Sequence, residues 1–164
     1  MADGFEGLDV WQKAHALMLF VHQRIAPCLP SDEKWDLASQ IRRSSKSVGA
    51  NIAEDHGRFY YQDNVRFCYN ARGSLAETIQ HLIVARDLKY IAGALYDEGR
   101  AQAEQVYRLL NGYIAYLKQR KIGEHEPGAN LIIHETRVAY EVGDWVEEPD
   151  AFIDSPIDQL PIPD

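Results

Sequence analysis

Residues 39–58, SQIRRSSKSVGANIAEDHGR, decide how the rest of the chain is read. With Leu37 just before it, the stretch places Ile41, Ser44 or Ser45, Val48 and Ile52 three or four residues apart, one inward stripe of an α-helix. Beside that stripe Ser45, Gly49 and Ala53 fall four apart. A glycine inside a helix costs about 1 kcal/mol relative to alanine, and the usual compensation is close approach of another helix. Gly73-Ser74, in the middle of a later helical segment, repeats the habit, so both strips are read as packing surfaces, within the chain or against a second subunit.

The opposite side of the stripe carries Arg42, Arg43 and Lys46. A basic cluster of this kind is either a solvated face paired with its helix neighbours or a phosphate-contacting face, for which the planar arginine fork is well shaped. Lys13, Arg58, Arg66 and Arg72 are the residues that could extend it. At the end of the stretch, Asn51 reads as an exposed polar residue or as a device fixing register between helices. Glu54 stands four residues before Arg58, a favourable helix pair in its own right.

Three further segments have the same period. The first spans about Val10 to Ala26, with Val10, Ala14, Leu17, Val21 and Ile25 inward. Asp9 is its expected cap, Gln12 completes a box-like pair, and Pro27 and Pro30 end it. Ser31 is the expected cap of the second helix, followed by Asp32 and Glu33 in its first turn, with Gly57 as its stop. The third runs from about Asp63 to Tyr90, with Cys68, Ala71, Leu75, Ile79, Leu82 and Ala85 inward and a break at Gly93. The fourth carries Ala103, Val106, Leu110, Tyr113 and Leu117 and ends in KQRKIG. Four long amphipathic helices joined by short breakers predict an all-α fold, an antiparallel up-down four-helix bundle over residues 1–122.

Residues 123–164 differ in composition. Eleven acidic residues against Arg137 alone leave this segment at about −10, whereas residues 1–122 sit at about +2 within a total of −8. NLIIHETRVAYEVGDWV alternates in part, and four prolines follow, so the tail is read as an irregular acidic extension that leaves open one short strand or a docked peptide. Charge acts locally, so an acidic total does not exclude a basic binding face on the body.

Chemistry is harder to find. The chain has no paired Glu-x-x-His arrangement for a bundle metal centre, no phosphate-binding loop and no nucleophile motif. The expectation is no catalytic residue, no cofactor and no metal, with His15, His22, His81, His125 and His134 at surfaces or interfaces. Cys28 and Cys68 lack metal or redox spacing and read as free thiols of a reducing compartment. The N-terminus has no secretory pattern, and the longest apolar run, ALMLF, is too short to span a bilayer. A cytoplasmic protein without a membrane partner is expected.

FEGLDVWQKAHAL, LASQIRRSSKSVGANIAEDHGR and FCYNARGSLAETIQHLIVARDLKY together resemble the four-helix-bundle family of 23S rRNA intervening-sequence proteins, over about residues 5–120. That family includes the accessory variability protein of diversity-generating retroelements. The resemblance implies a bundle that assembles into a barrel-like homopentamer, with RNA or DNA and a reverse transcriptase as partners for the retroelement member. It carries over Arg42, Arg43 and Arg58, with Lys46 beside them, as the nucleic-acid-binding set. Gly49, Asn51, Glu54, Gly73 and Ser74 are then structural or oligomer-forming residues. Asp55 and His56 depart from the family pattern by delaying a glycine to Gly57. The alternative is a protein-interaction scaffold that uses the acidic tail, with Trp145, Phe152 and Ile153 set among its acids, and binds no nucleic acid directly.

Overall fold

The computed structural model describes residues 4–57 and 61–120, with no side-chain description for Tyr61, and all of them belong to one compact unit. The expected division after residue 122, the acidic tail and Arg58 lie outside the described residues.

Four α-helices carry the fold: α1 (Asp9–Phe20), α2 (Leu37–His56), α3 (Tyr61–Asp87) and α4 (Gly93–Arg120). Each packs on the next in sequence and α1 closes on α4, a closed ring of neighbours that makes a four-helix bundle. The periodic stripes point inward as expected. Leu17, Val21, Ile25, Ile41, Val48, Ile52, Leu75, Leu82, Val106 and Leu110 are fully buried. In α4 the buried position is Ile114, while Tyr113 is only partly buried. In α3, Thr78 is buried and Ile79 is half-exposed.

Helix ends depart from expectation in four places. Asp9 is the first residue of α1 and not its cap, and Gln12 Nε2 donates instead to the Glu6 carbonyl at 2.9 Å. The C-terminal end of α1 widens into a π turn at Val21–Ile25 and then a tight turn at Ala26–Cys28, next to Pro27, which has no N–H to give. Ser31 does not cap α2. Residues Ser31–Trp35 form a separate 3-10 turn, and α2 starts only at Leu37, after an irregular Asp36. The capping carboxylate comes from Glu33: Leu37 N–H donates to Glu33 Oε2 at 3.3 Å, and Tyr90 Oη donates to Glu33 Oε1 at 3.1 Å. Finally, Gly93 begins α4. The chain stops α3 at Lys89, whose φ of 61° is left-handed, with Tyr90 and Ile91 N–H groups folded back onto the Ala85 carbonyl.

Small polar residues tie α2 to α3. Thr78 Oγ1 lies 3.0 Å from Ser44 Oγ and 2.9 Å from the Ser74 carbonyl, sharing one proton between them. Ser74 Oγ donates to Ser47 Oγ at 3.1 Å, and Asn51 Nδ2 donates to the same hydroxyl at 3.1 Å and to the Ser47 carbonyl at 2.8 Å. Sliding the helices by one register would strand buried hydroxyls, at a cost of about 1–3 kcal/mol each. Asn51 thus bonds within α2 to Ser47, whose hydroxyl in turn meets Ser74 of α3.

Candidate nucleic-acid interface

The outward face of α2 is built from side chains that the inward stripe leaves over. Arg43 is exposed, as is Lys46, and Arg42 is half-buried beside them. With Lys34 and Trp35 from the preceding turn, and Ser39, Ser47 and Ala50 as a small-residue floor, they line an open groove of about 630 Å³. Among the described residues, no carboxylate lines it. Arg43 reaches across to α3, where its Nη2 lies 3.6 Å from Glu77 Oε1. Both groups are well exposed, so this pair contributes little to stability. Neither Arg42 nor Lys46 has an ion-pair partner among the described residues.

The positive field of this face is felt by a neighbour. His22, at the end of α1, is held below the ordinary histidine range first by burial, with the Lys46 and Arg42 charges pushing the same way against a hydrogen bond to the Arg42 backbone. The sequence places the histidines at surfaces or interfaces. His15 is exposed and stacks on Trp11 at 5.0 Å between centroids, whereas Nε2 of both His22 and His81 is buried; His125 and His134 lie outside the described residues.

The other residues that could extend the basic face do not line this groove. Arg72 lies over the Tyr69 ring at 4.8 Å, and Lys118 of α4 donates to Tyr69 Oη at 2.7 Å, a separate basic and aromatic cluster between α3 and α4. Lys13 and Arg66 are likewise absent from its lining.

The glycine strips behave differently from each other. A Cβ at Gly49 would lie 3.6 Å from Trp11 Nε1, in ordinary contact with an aromatic side chain. Ser45, Gly49 and Ala53 form the floor of a second groove, walled by Phe5, Trp11, His15 and Met18. The approach expected at Gly73 is missing among the described residues: the position is exposed and a Cβ there would meet none of them within 4 Å. The tight glycine is Gly99 in α4, where a Cβ would come within 3.0 Å of Phe20 and 3.3 Å of Leu82. Glu54 is exposed at the end of α2, and its expected partner Arg58 lies outside the described residues.

Sequence reading also missed a buried polar centre. Asp55 is 0 % exposed, where the α2 stripe continues past Ile52. Burial pushes its carboxyl up to about 6, partly offset by the nearby Tyr113 hydroxyl and Cys68 thiol. Burial, and then the Asp55 charge, push Cys68 and Tyr113 up in turn. Cys68 is buried and Cys28 exposed. A thiol reagent applied to the native protein is therefore expected to modify Cys28 alone, with Cys68 labelled only after unfolding, as read by intact mass. Equal labelling of both in the native state would show that this centre opens readily.

Among the described residues no group of three or more His, Cys, Asp or Glu side chains could hold a metal ion, and no described helix is long and apolar enough to cross a membrane. The sequence profile described as 23S rRNA-intervening sequence protein matches residues 6–112, most of the bundle. The chain belongs to that family. The 23S rRNA-intervening sequence proteins thus account for α1, α2, α3 and most of α4, including every residue of the α2 groove. No curated protein matches the chain. Among solved structures, a protein of unknown function from the S23 ribosomal protein family of Bacteroides thetaiotaomicron VPI-5482 is similar, at 24 % identity and a TM-score of 0.58. The alignment covers 64 % of this chain and 97 % of that one, a likeness of fold.

Proposed function

We propose that this member of the family is a non-catalytic, homo-oligomeric nucleic-acid-binding bundle whose phosphate contacts are made by Arg42, Arg43 and Lys46. The observation that carries this reading is the α2 groove: among the described residues it is lined by four cations and no carboxylate, and Arg42 and Lys46 have no ion-pair partner. A polyanion gains most from cations that are not already neutralised, because its binding is driven by release of condensed counterions. Resemblance to a family that includes the retroelement accessory protein supports a pentamer and a reverse transcriptase as the protein partner. Arg58 is retained as a further phosphate contact. Gly49, Asn51, Glu54, Gly73 and Ser74 are assigned to packing within or between subunits.

The test is the full chain with Arg42→Ala and Arg43→Ala combined, titrated against labelled RNA and duplex DNA over a salt series. Affinity is expected to fall for both. The slope of log K against log salt is expected to flatten by roughly 0.9 for each phosphate no longer neutralised on duplex DNA, or 0.7 on a single strand. An unchanged affinity and slope would remove this face from consideration. Sedimentation of the same samples reads the oligomer number.

A further inference from the structure

We propose that Trp35 is a stacking platform for an unpaired base, so that the α2 groove takes a single-stranded segment of nucleic acid in preference to a continuous duplex. This rests on the nucleic-acid reading above and specifies the kind of strand.

Trp35 is 81 % exposed, more than any other large apolar side chain described as exposed. A tryptophan carries a large apolar area, and its place in water forgoes burial that the core would reward. It is also held in position. Trp35 closes the 3-10 turn Ser31–Trp35, and Glu33 in that turn is tied to Leu37 N–H at the start of α2 and to Tyr90 Oη beyond α3. The ring is therefore presented on a braced turn. Lys34 Nζ sits over one face, 4.8 Å from the centroid, and the exposure leaves the opposite face to solvent.

The surroundings match a nucleotide on both of its chemistries. Arg42, Arg43 and Lys46 line the same groove as the ring, one turn of α2 apart between Arg42 and Lys46, with Ser39, Ser47 and Ala50 too small to obstruct a strand. Proteins that hold single strands combine such a cationic track with aromatic rings on which bases stack, a contact tolerant of sequence because every base has a π-face. In a duplex those faces are already occupied by neighbouring bases, so the ring rewards only an unpaired one. An acidic peptide would neutralise the cations while using Trp35 merely as an apolar contact. A second copy of this chain would bury Trp35 without needing the cations.

The experiment compares full-length wild type, Trp35→Ala and Trp35→Phe for binding of a labelled oligouridylate and of a blunt RNA duplex at one low salt concentration, with sedimentation in parallel. Trp35→Ala is expected to weaken oligouridylate binding by about 5- to 100-fold, the range that removal of one base stack gives, and duplex binding by less than about twofold. Trp35→Phe is expected to keep most of the single-strand affinity. Equal binding of both nucleic acids by wild type and Trp35→Ala would overturn the platform, while leaving the phosphate face to stand on the Arg42 and Arg43 variants. A change in oligomer size in Trp35→Ala with oligouridylate binding intact would place Trp35 between copies and equally overturn it. Failure of the wild type to bind either nucleic acid would overturn both readings.

Discussion

Asp55→Asn is expected to stabilise the protein above neutral pH and to leave its stability nearly unchanged in strong acid. The carboxyl ionises at about 6 in the folded chain against an ordinary 3.8, chiefly because it is fully buried. Between those two values the unfolded chain loses its proton first, so the folded state binds more protons and its stability falls as pH rises. Below the lower value both states are protonated and there is no penalty. Above about 6 both are ionised and the penalty is complete, on the order of 3 kcal/mol from a displacement of about two decades at about 1.4 kcal/mol each. Tyr113 and Cys68, its polar neighbours in this centre, are themselves pushed up and stay neutral throughout this range. Asparagine removes the charge and keeps a polar group for the same neighbours. Thermal or urea unfolding of wild type and variant across the range should give curves that coincide in acid and separate with rising pH. Parallel curves would mean that Asp55 is not buried as a carboxylate in solution. Other carboxylates contribute to both curves alike, so the difference between them is the quantity to read.

The second expectation concerns two glycines that look alike in the sequence. Gly99→Val should destabilise the bundle by about 1–3 kcal/mol, the usual cost of forcing extra atoms into a packed site. The added carbons would press on the Phe20 ring and the Leu82 methyls, which already lie 3.0 and 3.3 Å from the first of them. Gly73→Ala should do the reverse. Among the described residues its surroundings are open, so alanine restores about 1 kcal/mol of helix propensity without a clash. Denaturant midpoints at constant m-value distinguish the cases. A drop in stability in Gly73→Ala together with a smaller oligomer would show instead that a second subunit comes close there. Stability unchanged in Gly99→Val would mean that the α1–α3–α4 contact yields easily.

How much of the fold is legible in the sequence can be traced residue by residue. The inward stripes of all four helices follow from spacing alone, because apolar side chains recurring at three and four residues have one way to leave water together. The bundle then follows from four such stripes and short connections. The basic set Arg42, Arg43 and Lys46 is legible for the same reason in reverse: it is what remains on the outside of α2 once Ile41, Val48 and Ile52 are turned in. Even Asp55 was within reach, since it continues the α2 period three residues past Ile52.

Other features depend on where the helices meet. Trp35 lines the basic groove on a turn that is tied through Glu33 to Tyr90, fifty-seven residues away in sequence. Gly73 and Gly99 are separated by the presence or absence of a neighbouring side chain, which no local pattern encodes. Charge alone lets Arg72 extend the basic face, yet it lies over the ring of Tyr69 and outside the groove lining. Sequence by itself determined the main inward stripe of each helix and hence the class of fold, because burial of a periodic stripe is a local demand, while Thr78 and Ile114 are buried where spacing alone points to Ile79 and Tyr113. Tertiary structure alone decided which exposed residues share one groove, because that depends on contacts between residues far apart in the chain.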